Sequence, residues 1–195
     1  MLVKSGILIH RWNNLIKCFN FHFQNMNQTK KHNFTLIVII LLFAVTATFP
    51  YAANAQKLPA FKVKLSNGKI FSSSEVSHTK PLIIIYFAPD CEHCQILMKG
   101  LFKRINEFKN AQILMATFES DDAVAGFVKQ YQTAKYSNIK VGTEIPVFFF
   151  RMYYQLEHTP FTALFDKNQK LIVSYKDYTP LDDLIKNLKL LEKKQ

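Results

Sequence analysis

Leu82-Ile83-Ile84-Ile85-Tyr86-Phe87 is an unbroken apolar run of β-forming residues. Such a run fits a strand covered on both faces better than one that alternates between core and water. The next segment, Glu92 to Phe108, has helical spacing: Leu97, Leu101, Ile105 and Phe108 share a face, with Met98 and Phe102 beside it. Gln112 to Phe118 reads as a second strand. Glu119-Ser120-Asp121-Asp122 then supplies caps for a helix over Ala123 to Tyr131. Residues 132 to 145 read as a polar connection, and Val147 to Leu156, very aromatic, as a buried helix. Phe161 to Phe165 and Leu171 to Tyr175 are strands joined by a turn at Asp166-Lys167-Asn168-Gln169. Thr179-Pro180 caps a last helix that carries Leu181, Leu184, Ile185, Leu188 and Leu191 on one side. Upstream of all this, Leu58 to Leu65 alternates as a strand. Ser66-Asn67-Gly68-Lys69 turns it, with Asn-Gly expected to supply the positive φ angles; Ile70 and Phe71 return, and Ser72 to His78 makes a short helical turn. The predicted order is hairpin, βαβ, α, hairpin, α. That order implies an α/β domain with a mixed central sheet, helices on both faces, an N-terminal β-hairpin and a right-handed crossover.

The first quarter of the chain does not join this pattern. Asn33 to Gln56 has no charged residue, and Phe34 to Phe49 within it is almost wholly apolar. Lys30 and Lys31 precede the run and Ala53-Asn54-Ala55 follows it, which is the order of a secretory signal with cleavage expected after Ala55. An uncleaved anchor is the competing reading, although the apolar run falls short of the roughly 20 residues that span a bilayer. Met26-Asn27-Gln28-Thr29-Lys30-Lys31 makes a normal signal start, so residues 1–25 read as a mis-annotated leader, residues 26–55 as signal or anchor, and residues 56–195 as the domain. The location expected is periplasmic or otherwise extracytoplasmic.

Charge and cysteine content change the picture in two ways. The formal net charge of the 195-residue chain is +11. Lys4, Arg11, Lys17, Lys30 and Lys31 lie ahead of the domain, and the remaining excess is spread without a basic block. No nucleic-acid partner is implied. Of three cysteines, Cys18 falls in the leader, so the domain keeps only Cys91 and Cys94 and has no disulfide framework.

Those two sit in Phe87-Ala88-Pro89-Asp90-Cys91-Glu92-His93-Cys94, at a strand-to-helix junction. Unpaired N–H groups and the positive end of the helix dipole favour thiolate there, and thiolate is the attacking species in thiol–disulfide exchange. The two-residue spacing lets both sulfurs meet on one turn. Cys91 is expected to be the exposed nucleophile and Cys94 the buried resolver. Protonated His93 would stabilise the thiolate, whereas Asp90 and Glu92 would oppose it.

With these residues in hand, the segment from about Leu58 to Leu191 resembles the thioredoxin superfamily, and within it the exported TlpA/ResA-type thiol–disulfide oxidoreductases. The resemblance rests on the Leu58-Pro59-x-Phe61 opening, the Gly68-Lys69 hairpin, the strand ending Tyr86-Phe87-Ala88, the Cys91–Cys94 motif and Thr159-Pro160 before a strand ending Phe165-Asp166. It implies a thioredoxin-like fold. It also implies a cis Pro160 that faces the cysteines and, with Thr159, presents backbone to the substrate. Protein thiols and disulfides would be the partners, with a membrane electron donor and without a cofactor. Two positions depart from the pattern. Ile85 stands where many thioredoxins bury an acid, leaving Glu119 as a weak substitute, and Asp90 stands where an aromatic precedes the first cysteine.

Other chemistries are less well served. A zinc site lacks a second ligand pair. A Cu(I) chaperone reading would use Cys91, Cys94 and either His93 or His158. A peroxidase site would need Thr and Pro where Ala88 and Ile84 stand, although the opening strands are shared with peroxiredoxins. In a non-catalytic interaction domain, the Phe148, Phe149, Phe150, Tyr153 and Tyr154 cluster would be a partner surface rather than core.

Overall fold

A computed structural model of the chain describes Leu36 and residues 57–193. The leader, signal and cleavage-site readings lie outside these residues. Seven strands form one mixed sheet in the order β2-β1-β5-β4-β3-β6-β7. They are β1 (Lys62–Leu65), β2 (Ile70–Ser72), β3 (Leu82–Tyr86), β4 (Gln112–Thr117), β5 (Ile139–Ile145), β6 (Phe161–Phe165) and β7 (Leu171–Lys176). β3, β4 and β5 run parallel, and the flanking strands are antiparallel to their neighbours. The α-helices within residues 57–193 are α1 (Glu92–Lys103), α2 (Asp121–Tyr131), α3 (Phe149–Tyr154) and α4 (Leu181–Glu192). Among the described residues no helix is long and apolar enough to cross a membrane.

The apolar run of β3 is buried at every position because it is a central strand, paired to β4 on one side and β6 on the other. Its alternate side chains feed two cores. Ile83, Ile85 and Phe87 meet Leu97 and Leu101 of α1, Phe127 of α2 and Leu184 and Leu188 of α4. Leu82, Ile84 and Tyr86 meet Phe61, Phe150, Tyr154 and Phe161 on the opposite face. Helices therefore cover both faces of the sheet, three on one and the short α3 on the other.

Several details differ from the sequence reading. The connection at 132–145 contains β5, which is not an edge but lies between β4 and β1. Its Ile139-Lys140-Val141 alternation is interrupted by Gly142, whose missing side chain conceals the period. That gap is required by packing, because a Cβ at Gly142 would run into the Lys64 carbonyl oxygen of β1. The aromatic helix is only six residues, and its cluster divides: Phe150 and Tyr154 are buried, Phe149 packs partly buried against the core, and Phe148 and Tyr153 are exposed. The first strand begins at Lys62 rather than Leu58. Residues before it are tied elsewhere, with the Leu58 N–H bonded to the Gln169 carbonyl at 3.0 Å. In the hairpin turn Gly68 alone has a positive φ, of 80°. The Gly68 N–H bonds the Leu65 carbonyl at 2.8 Å, so Ser66 and Asn67 occupy the centre of an ordinary turn and Gly68 follows it. The first long helix ends at Lys103, with Ile105–Phe108 continuing as a tighter 3₁₀ turn.

Candidate active site

β3 ends at Tyr86, and the chain passes through Phe87 to Asp90 before α1 begins. The Phe87 N–H is still held by the Ala116 carbonyl of β4 (3.0 Å), so the sheet fixes the start of the loop. The Cys91 N–H bonds the Ala88 carbonyl (3.2 Å), and Gln95 Nε2 bonds the Pro89 carbonyl (3.1 Å), which closes the loop onto the helix it precedes. Cys91 is the N-cap residue of α1 and is half-buried; Cys94, at the third helical position, is buried in the core between α1 and the sheet. Both are free thiols.

This placement separates the two thiols electrostatically. Burial works to raise the Cys91 pKa, but hydrogen bonds from the Cys94 backbone N–H, from Thr159, from the Cys94 thiol and from the His93 N–H outweigh it, and the group is held below its ordinary value. Cys94 moves the other way: burial pushes it up to about 12, and the neighbouring Cys91 sulfur adds to the rise. In the thiol form Cys91 Sγ donates to the Thr159 carbonyl at 3.4 Å. That contact brings the β6 approach against the cysteine, and the Thr159–Pro160 peptide there is cis. A second cis bond joins Ile145 to Pro146 at the end of β5. Asp90, Glu92 and His93 are exposed around the helix start.

Cys91 opens onto a cleft of about 480 Å³ lined also by Tyr86, His93, Phe118, Arg151, Leu156, Glu157, His158 and Thr159. Arg151 shapes one wall by bonding the Leu156 carbonyl (3.2 Å) and the Glu157 carbonyl (2.7 Å). Across His93 a second groove, of about 360 Å³, runs between Ile96 and Leu97 of α1 and the Pro160, Tyr178 and Pro180 segments. His158 thus borders the Cys91 cleft, but among the described residues no three His, Cys, Asp or Glu side chains converge as a metal site would require.

The sequence reading gave no site role to Tyr86, Phe118, Arg151 or, most notably, Glu144. Glu144 of β5 is almost fully buried and, among the described residues, forms no salt bridge. Its Oε1 accepts from the Tyr86 hydroxyl (2.8 Å) and the Phe148 N–H (2.9 Å), and its Oε2 from the Phe150 N–H (2.7 Å). Burial raises its pKa despite these bonds. Ile85 is buried, as a residue at that position must be, and brings no acid toward Cys94. Opposite it in β6, Thr162 instead pairs its buried hydroxyl with Thr179 at 2.7 Å. Glu119 is half-buried, and its charge acts on Tyr86. The alternation flanking Gly142 was the one sequence signal that could have placed Glu144 in a strand.

The sheet order, the two-cysteine turn at the head of α1 and the proline loop against it define a thioredoxin-like protein. Solved structures share this fold. One is a thioredoxin-like protein from Porphyromonas gingivalis (22% identity, TM-score 0.56, covering 70% of this chain and 92% of that one). Another is an exposed lipoprotein thioredoxin from Streptococcus pneumoniae (20%, 0.52, 68% and 99%). A third is a secreted disulfide oxidoreductase of Mycobacterium tuberculosis homologous to E. coli DsbE (13%, 0.56, 67% and 96%). No curated protein matches the chain by sequence. The pattern of the AhpC/TSA family matches residues 55–188, and the chain belongs to that family.

Proposed function

We propose that this protein is an extracytoplasmic thiol–disulfide oxidoreductase acting on polypeptide substrates, with Cys91 as nucleophile and Cys94 as resolver. The observation that carries the reading is the opposite treatment of the two thiols. One is half-exposed at a helix N-terminus with its pKa lowered; the other is buried with its pKa raised.

In the reducing direction, Cys91 thiolate attacks one sulfur of a substrate disulfide. The substrate S–S bond breaks, the departing sulfur takes a proton, and a mixed disulfide forms. Cys94 then loses its proton and attacks Cys91 Sγ, releasing the second substrate sulfur. Two electrons pass to the substrate, and the Cys91–Cys94 disulfide forms. The reverse sequence oxidises a dithiol. A thiol with a pKa near 12 is a slow attacker while free, which favours the mixed disulfide until Cys94 is deprotonated. Thr159 and Pro160 would present backbone to the substrate, with the Thr159 carbonyl already directed at Cys91. Glu92 and His93 would tune the thiolate from the exposed rim. An external donor, such as a membrane electron carrier, would regenerate the dithiol. Secreted and exposed proteins among the structural neighbours support the location.

Insulin reduction by the purified domain with dithiothreitol tests the reading. Wild type should accelerate turbidity, and Cys91→Ser should abolish the effect. An unaltered rate in Cys91→Ser would exclude the proposed nucleophile. Peroxide consumption dependent on Cys91 in the absence of disulfide exchange would point to the peroxidase branch of the AhpC/TSA family instead.

A further inference from the structure

Five non-glycine residues among those described have positive φ. Four are polar: Gln132, Gln155, Gln169 and Asp177. The fifth is Phe148, at 66°. This region of backbone space is unfavourable for a bulky side chain, and a residue held there needs its surroundings to impose the conformation. Here the imposing group is Glu144, a buried carboxylate that accepts the Phe148 N–H. Burying a carboxylate is itself costly. The return in core packing is small, because Phe148 remains 42% exposed. An unfavourable backbone and a buried charge thus hold an aromatic ring partly in water.

The position of that ring supplies the reason. Phe148 lies 5.4 Å from Phe118, centroid to centroid, and Phe118 lies 6.0 Å from Tyr86. Phe118 and Tyr86 line the cleft onto which Cys91 opens. The aromatic strip therefore starts in the cleft onto which Cys91 opens and ends at the surface, and the same Glu144 holds both of its ends, through the Tyr86 hydroxyl and the Phe148 N–H. We propose that Phe118 and Phe148 receive an aromatic or large aliphatic side chain that a polypeptide disulfide carries within a few residues of the cysteine under attack. The proposal rests on the exchange reading and adds a substrate class to it. A polypeptide is the occupant that continuity with Cys91 selects, since the group under attack is tethered to whatever lies along the strip. A membrane surface would call for a cluster of free cations. The cation of this wall, Arg151, is instead engaged by the Leu156 and Glu157 carbonyls.

The test uses short peptide disulfides with Phe or Ala at each of several positions flanking one cysteine. In wild type, the best Phe peptide should exceed its Ala counterpart by about five- to tenfold in kcat/KM, mainly through KM, the size of effect an aromatic contact gives. In Phe148→Gly that ratio should fall toward one. Its thermal midpoint should hold or rise, since glycine adopts positive φ without a Cβ clash. Phe148→Asn, which also tolerates this φ, should behave alike. A purely structural Phe148 would lower the midpoint and leave the ratio intact. That result, or no Phe preference in wild type, overturns the proposal. The same peptides with serine for cysteine separate it from the exchange reading in a calorimetric titration. Phe-dependent binding that is lost in Phe148→Gly supports the surface even if no disulfide is reduced, whereas binding blind to Phe refutes the surface even if exchange is robust. Self-association or vesicle binding that depends on Phe148, without peptide selectivity, would also overturn it, in favour of a second copy or a lipid surface.

Discussion

Replacing Glu144 removes the acceptor of three hydrogen bonds that join β5, the end of β3 and the start of α3. In Glu144→Ala the Tyr86 hydroxyl and the Phe150 N–H are left buried without a partner, while the Phe148 N–H, in a half-exposed residue, can turn to water. At about 1–3 kcal/mol for each buried unsatisfied group, the loss is about 2–6 kcal/mol; relief of the buried carboxylate offsets part of it, leaving about 2–4 kcal/mol. In Glu144→Gln one carboxamide oxygen still serves Tyr86 and Phe148, but the NH₂ group meets the Phe150 N–H donor to donor, a cost of about 1–2 kcal/mol. The pH dependence is the sharper signature. Burial holds the Glu144 pKa above the ordinary 4.5. Between 4.5 and that raised value the folded state keeps a proton that the unfolded chain has released, so the stability contributed here is full below 4.5 and is lost as pH rises through the window. Glutamine has no such proton. Urea unfolding of wild type and Glu144→Gln across the acid range should show the gap between them widening as pH falls from neutral. A gap that stays constant or narrows, or a Glu144→Ala variant within about 0.5 kcal/mol of wild type, the range of neutral surface changes, would refute the reasoning.

Three further outcomes follow from the same geometry. Iodoacetamide should alkylate Cys91 near neutral pH, with the rate falling as acid protonates its thiolate; in Cys91→Ser, Cys94 should stay slow until strongly alkaline pH, and mass spectrometry of the labelled protein reads both. Thr162→Val should cost about 1–3 kcal/mol in urea unfolding, because it leaves the Thr179 hydroxyl buried without its partner, whereas valine at both positions together should recover much of the loss. Gly142→Ala drives a methyl group into the Lys64 carbonyl and should cost about 1–3 kcal/mol. Faster amide exchange confined to β1 and β2 would accompany that loss.

Much of the molecule was legible from local pattern, for reasons that individual segments make plain. β3 announces itself because a strand covered on both faces has no polar position to spare, and α1 and α4 do so because each buries a single stripe. The junction of strand, Cys91-x-x-Cys94 and helix is also local, so the placement of both sulfurs followed from spacing alone. What the sequence could not decide is whatever depends on chain segments far apart. β5 is a strand because β4 and β1 flank it, and its period is broken by a glycine whose need arises only from Lys64. Glu144 carries no local sign of burial; it is accepted into the interior because Tyr86, 58 positions earlier, and the backbone of α3 donate to it together. The division of the aromatic cluster follows from the same bonds, which turn Phe150 into the core and leave Phe148 facing water. Sequence thus determined where the cysteine pair sits and the strand and helix that carry it, while tertiary structure decided the wall beside them, because a buried carboxylate and a strained backbone exist only where partners from several elements meet.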